Sequence, residues 1–266
     1  MGFNHGLYFK FYPFLGIEVL VWQIFLLYYC RILTCMGRKN RLFVLTHSAG
    51  FRHSYLTTAV EVLTRLGEKT GVFETYATEE CFEFNDRILS TCAAVLFMTT
   101  GELPMSEEQK SALIRFVENG GGFIGVHNAT DTFYKFPEYG RMIGGYFNGH
   151  PWTQEVYAIV EDDSHPSTKH LPKRFKVLEE VYTFRDWSRD KTHVLIRLDN
   201  SSVDLSKGTR PDNDYALAWC HEYGQGRVFY TAFGHFTLLW RSECFQRHIL
   251  GGIAWAMGEE ERLTSM

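Results

Sequence analysis

The chain has 266 residues, a formal net charge of -4, and 45% hydrophobic against 22% charged residues. That composition excludes a disordered chain and leaves room for one large domain, or a domain with an appendage. No Lys/Arg run is present, which argues against a nucleic-acid partner, because neutralising phosphates takes clustered cations.

The first 35 residues stand apart. From Phe11 to Cys30 the chain is almost wholly apolar, with Glu18 as its only charge. A helix of that length would just cross a bilayer core. Arg31, Arg38, Lys39 and Arg41 follow it, whereas only Lys10 precedes it, an asymmetry that would hold the following domain in the cytoplasm. Glu18 and Gln23 weigh against a span, and Met36 stands just before the first strand. Two readings stay open: a membrane anchor, or a spurious upstream extension.

From Arg41 the elements alternate. Arg41–Thr46 is a short apolar run of the kind found in buried parallel strands. Leu56, Val60, Leu63 and Leu66 then recur at helical spacing, with Gly67 placed to stop the helix. Strands are predicted at 72–78 and 93–99. Ser106-Glu-Glu-Gln109 has the form of a capping box, and its helix ends at Gly120-Gly121-Gly122, read as a left-handed stop. Phe123–Val126 is the fourth strand. This alternation predicts parallel βαβ units and a doubly wound sheet. Beyond Trp152 the pattern turns strand-rich, with strands predicted at 156–160, 194–198, 216–220 and 227–232. A final helix carries Phe245, Ile249, Ile253 and Ala256 on one face. One compact domain over 41–258 is expected, followed by a short tail at 259–266.

In such sheets ligands bind beyond the carboxyl ends of the strands, and the loops there carry histidines. His47, Arg52 and His53 follow the first strand, His127 to Asp131 the fourth, and Gly234-His235 the last, with Trp240 close behind. Gly144 to Pro151 adds His150. Histidine suits proton transfer near neutral pH, and Asp131 is the carboxylate expected to orient His127. The same residue types suit zinc or a similar divalent ion, but no HxH or HExxH spacing is present, so ligands would have to gather from several loops. Gly120–Gly122 precedes a strand instead of opening a helix, so no nucleotide cofactor is expected. The six cysteines form no CxxC pair and read as reduced thiols of a cytoplasmic domain.

Thr46-His-Ser-Ala-Gly-Phe-Arg-His53, Gly120-Gly-Gly-Phe-Ile-Gly-Val-His-Asn-Ala-Thr-Asp131 and Gly144-Gly-Tyr-Phe-Asn-Gly-His-Pro151 resemble the ThuA-like (trehalose utilisation) pattern in order. Glu180-Val-Tyr182, Leu217-Ala-Trp219, Gly226 to His235 and Gly251 to Trp255 continue it. The resemblance implies a flavodoxin-like, mostly parallel sheet of the class I glutamine amidotransferase type with a strand-rich C-terminal half. Amidotransferases on that fold carry a cysteine at the strand-to-helix elbow, where this chain has His127, so thiolate glutaminase chemistry is not expected. The implied substrate is a small carbohydrate, a 3-keto sugar or glycoside, transformed by elimination, isomerisation or hydrolysis. On that reading His127 paired with Asp131 is the base and His53 or His235 the acid. Arg52, His150, Tyr182 and Trp240 would position sugar, and Glu180 is a further carboxylate, unless it is merely a strand-end charge. A non-catalytic carbohydrate-binding module, a metal-dependent hydrolase and a homo-oligomer stay open.

Overall fold

The computed structural model describes Met1 and residues 40–263. The apolar segment read above as anchor or extension, and the last three residues, lie outside the described residues. Among the described residues no helix is long and apolar enough to cross a membrane.

Nine strands form one mixed sheet in the order β2-β1-β3-β4-β11-β10-β9-β6-β7. Its first half is parallel: β2 (Glu74–Thr78), β1 (Arg41–Leu45), β3 (Cys92–Phe97), β4 (Gly122–Val126) and β11 (Gly226–Thr231). This is the order of a flavodoxin-type doubly wound sheet. Strand alternation builds a core on each face. Leu42 and Val44 of β1 join helices α1 (Leu56–Thr70) and α6 (Glu243–Met257) on one side. Phe43 and Leu45 join α3 (Glu107–Glu118) and α4 (Pro137–Ile143) on the other. Short helices α2 (Asp86–Leu89) and α5 (Thr237–Trp240) complete the set.

The remaining half is antiparallel: β10 (Ala216–Tyr223), β9 (His193–Leu198), β6 (Trp152–Val160) and β7 (Arg174–Val181). Each pairing reverses direction, so β7 again runs the way β4 and β11 do, and its carboxyl end lies at the same sheet edge. Ala158–Val160 of β6 pair with β9 and Tyr157 still accepts from the Asp199 amide just beyond it, whereas Trp152 to Val156 pair along the sheet with β7 alone. The β6–β7 ribbon therefore overhangs the carboxyl edge by five residues, about 17 Å at strand rise. A free two-stranded ribbon twists strongly, which lets this one fold back across the edge. A second, two-stranded sheet pairs β5 (Tyr146–Phe147) with β8 (Phe184–Arg185).

Three local expectations need correcting. Helix α1 does not stop at Gly67 but continues to Thr70, and Gly71 (φ 65°) ends it. Gly67 is in the helix because of its size, since a Cβ there would lie 2.5 Å from the Phe73 carbonyl oxygen. Of the glycine triplet only Gly120 (φ 102°) is left-handed; Gly121 and Gly122 are crowded by Phe116 and by the Ala256 backbone. Strand β7 was missed, because Lys176, Glu179 and Glu180 interrupt its apolar pattern. The capping box of α3 is present, with Ser106 and Gln109 bonded reciprocally.

Candidate active site

The fourth strand ends in a strained elbow. His127 has φ 45°, a left-handed conformation that costs a non-glycine residue about 1–3 kcal/mol. Buried hydroxyls hold the turn: Tyr230 Oη–H donates to the His127 carbonyl at 2.7 Å, and Tyr139 Oη–H to the Ala129 carbonyl at 2.8 Å. The imidazole is fully buried. Its Nδ1–H donates to the Ala232 carbonyl at 2.7 Å, which fixes the tautomer and turns the Nε2 lone pair inward.

Three other elements meet that nitrogen. His235, after β11, brings Nδ1 to 3.2 Å from His127 Nε2. Glu180, near the end of β7, brings Oε2 to 3.4 Å from His127 Nε2 and 3.1 Å from His235 Nδ1. His53, after β1, packs edge-on against both, with ring centroids 5.2 Å from His127 and 5.4 Å from His235. One nitrogen or oxygen from each of these four side chains lies within 4.8 Å of the others, so they could hold a metal ion. Tyr182 lies over the His127 ring at 4.1 Å. His150 is at the rim, its Nδ1 3.4 Å from Glu180 Oε1.

Glu179 explains how the ribbon reaches the elbow. Flat, β7 would sit four strand spacings from β11, about 19 Å away. Yet the buried Glu179 carboxylate accepts N–H bonds from Gly234 at 2.8 Å and His235 at 3.2 Å, and from Glu180 at 2.9 Å. The carboxylate fastens the folded-back ribbon to the loop after β11.

The electrostatics divide the cluster. Burial lowers the His127 pKa, and burial followed by the neighbouring His127 and His235 lowers that of His53 to about 3. A hydrogen bond to Glu180 raises His235. Burial alone would raise Glu180, but the His127 and His235 imidazoles beside it outweigh that effect and hold the carboxyl well below its ordinary range. Glu179 is raised by burial to about 7. A charged carboxylate thus faces two neutral imidazoles and a third that favours its proton.

Of the expected site residues, His53, His127, His150, Glu180, Tyr182 and His235 come together. Asp131 does not orient His127: its Oδ1 accepts a 2.5 Å bond from Tyr134, and Glu180 occupies the expected place. Arg52 is exposed and paired in both nitrogens with Glu79. Trp240 is buried, stacked on Tyr55, with its indole N–H on the Gly234 carbonyl at 2.9 Å; it supports the His235 loop and does not line an opening. Glu179, Tyr55 and Asn128 were missed. Asn128 joins two of the site's walls, its Oδ1 accepting from Tyr55 and its Nδ2 lying 3.3 Å from His53 Nδ1. The one available signal is the adjacent Glu179–Glu180 pair set between Leu178 and Val181.

The chain matches the family described as ThuA, trehalose utilisation, over residues 41–256. Among solved structures it is similar to a ThuA-like protein of Bacteroides uniformis, with a TM-score of 0.68 and 20% identity over 83% of this chain and 92% of that one. A ThuA-like protein of Parabacteroides merdae gives 0.65 and 20% over 82% and 89%. A beta-galactosidase of Bacillus circulans gives 0.53 and 12%, covering 83% of this chain but 31% of that one, a likeness of fold alone. No curated protein matches the sequence. With a family match running from the first strand into the last helix, the chain belongs to the ThuA family.

Proposed function

We propose that the His127–Glu180–His235 cluster is the active site of an enzyme that moves a proton beside the carbonyl of a keto sugar or keto-glycoside. The observation that supports this most is the convergence of three proton-carrying or proton-accepting side chains, from three separate elements, on one point at the carboxyl edge of the sheet. The family's tie to trehalose utilisation supports a glycoside as substrate.

Exposure divides the roles. His127 is fully buried, whereas the His235 side chain is 23% and the Glu180 side chain 12% exposed. His235 is therefore the group that exchanges a proton with substrate, Glu180 orients it, and His127 backs both. His150 at the rim and Tyr182 beside His127 shape the approach to the sugar. A ketone acidifies the neighbouring C–H. Removing that proton sends its electron pair into an enolate, and expulsion of the glycosidic oxygen, which takes up a proton, leaves an unsaturated ketone and a free alcohol. Addition of water completes a net hydrolysis.

The test is incubation of the full chain with 3-keto-trehalose and with trehalose in heavy water, followed by mass spectrometry. Expected are deuterium beside the ketone or a released sugar from the keto compound alone, with His235→Ala slower by about 10²–10⁴-fold. Tight binding without exchange or cleavage would favour the binding-module reading, and equal turnover by His235→Ala would remove the assignment.

A further inference from the structure

We infer that His53, His127, Glu180 and His235 form a binding site for one divalent first-row transition ion of the zinc class. The inference rests on the same cluster as the proposed function and revises one role in it: with the ion bound, His235 Nδ1 would be a ligand and could not also exchange a proton with substrate, and the ion would polarise the sugar carbonyl instead.

The geometry of the ligand atoms carries it. His127 Nε2, His235 Nδ1 and Glu180 Oε2 form a nearly equilateral triangle with sides of 3.2, 3.1 and 3.4 Å. The point equidistant from all three is about 1.9 Å from each, so an ion slightly out of that plane reaches bonds of about 2.0–2.2 Å, the range zinc makes with imidazole and carboxylate. Ligands at those bond lengths around a tetrahedral ion are about 3.3 Å apart, which is the spacing present. His53 adds a fourth donor within the same 4.8 Å limit.

The chemistry of the donors agrees. Because His127 donates its Nδ1–H to Ala232, neutral His127 turns a lone pair, not a proton, toward a carboxylate oxygen 3.4 Å away. One proton on His235 Nδ1 cannot lie between three electron-pair donors at once; a divalent cation at their centre can. The Ala232 bond is also the support that ligating histidines ordinarily receive on their far nitrogen. Glu179, gripping the Gly234 and His235 amides, fixes the loop that supplies one ligand and adjoins the strand residue that supplies another. Three imidazoles and one carboxylate suit zinc, iron, nickel or copper, and not the all-oxygen preference of calcium or magnesium. Partial exposure of His235 and Glu180 leaves a side from which a carbonyl oxygen can approach the ion, as a Lewis-acid role requires.

Full-length, tag-free protein stripped with chelator and titrated calorimetrically with Zn²⁺ tests the site directly. Expected is one ion per chain. Glu180→Gln and His235→Ala, each checked for folding by near-ultraviolet circular dichroism, should weaken binding at least 10–100-fold. Cys244→Ser, which removes an exposed thiol, should leave binding unchanged. X-ray absorption of the zinc-loaded wild-type chain reads the ligands without any substitution, and should show imidazole nitrogens and oxygen without sulfur. Absence of stoichiometric binding, sulfur ligation, or wild-type affinity in both site variants would overturn the inference. Zinc held at these ligands without turnover of keto-glycosides removes the proton-transfer reading alone. Turnover unaffected by stripping, in a chain that takes up no zinc, removes the ion alone.

Discussion

Glu179 shows how much one side chain can decide. Its carboxylate holds three backbone N–H groups in a buried place, and losing it would leave them without partners, at about 1–3 kcal/mol for each group so stranded. Glu179→Ala should therefore lower the unfolding free energy by at least about 2 kcal/mol in denaturant titration, and lower activity with it, although Glu179 touches no substrate. An unchanged denaturation midpoint would show that the ribbon is fastened elsewhere. The histidines were legible in the sequence, because strand-end loops are where such sheets place their chemistry. Their carboxylate partner, Glu180, is legible only as a further candidate behind Asp131. Asp131 is four residues from His127 and drew the assignment by proximity, whereas Glu180 arrives from a strand 53 positions later. Arg52 and Trp240 lie in the expected stretches, but an exposed ion pair with Glu79 takes the Arg52 guanidinium and the buried Gly234 carbonyl takes the Trp240 indole N–H.

Elements with a clear local signal are legible in the sequence. The capping box at Ser106 was visible as a motif, and Ser106→Ala should cost about 1 kcal/mol of stability, measurable by denaturation. Gly67→Ala is the more instructive change. Helix propensity alone would favour alanine by about 1 kcal/mol, but the new Cβ meets a backbone oxygen at 2.5 Å, which packing cannot relieve without moving β2 or α1. A net loss of about 1–3 kcal/mol is expected, and a stabilised variant would show that the contact yields easily. Strand β7 escaped because pattern reading assumes that charge means surface. Here Glu179 is 1% exposed, and the residue that broke the pattern is the one that anchors the site.

Across the whole molecule, buried neutral histidines make the fold sensitive to acid. Burial lowers His248 to about 3 and His165 to about 4. His248 is enclosed by the Ser167 carbonyl and the Thr231 hydroxyl. A depressed folded pKa means the unfolded chain takes up the proton first. The stability these groups contribute is full above about pH 6.5 and is lost as pH falls toward 3–4. At pH 4.5 the His248 share alone is about 2–3 kcal/mol. Denaturation midpoints should drop steadily between pH 6.5 and 4, and His248→Gln should flatten that slope by about one proton. A slope unchanged in His248→Gln would mean that His248 ionises in the folded chain.

The parallel half of the sheet was predictable from strand–helix alternation. The overhanging ribbon was not, since it follows from pairing register between strands distant in sequence. That ribbon delivers Glu180 to the elbow, so the identity of the working carboxylate tests the site most directly. The measurement is the steady-state rate on 3-keto-trehalose of wild type, Glu180→Gln and Asp131→Asn, all at equal metal loading. Expected is a loss of at least about 100-fold for Glu180→Gln and less than about 10-fold for Asp131→Asn. A reversed order, with Asp131→Asn crippled and Glu180→Gln active, would contradict the assignment of this cluster as the active site.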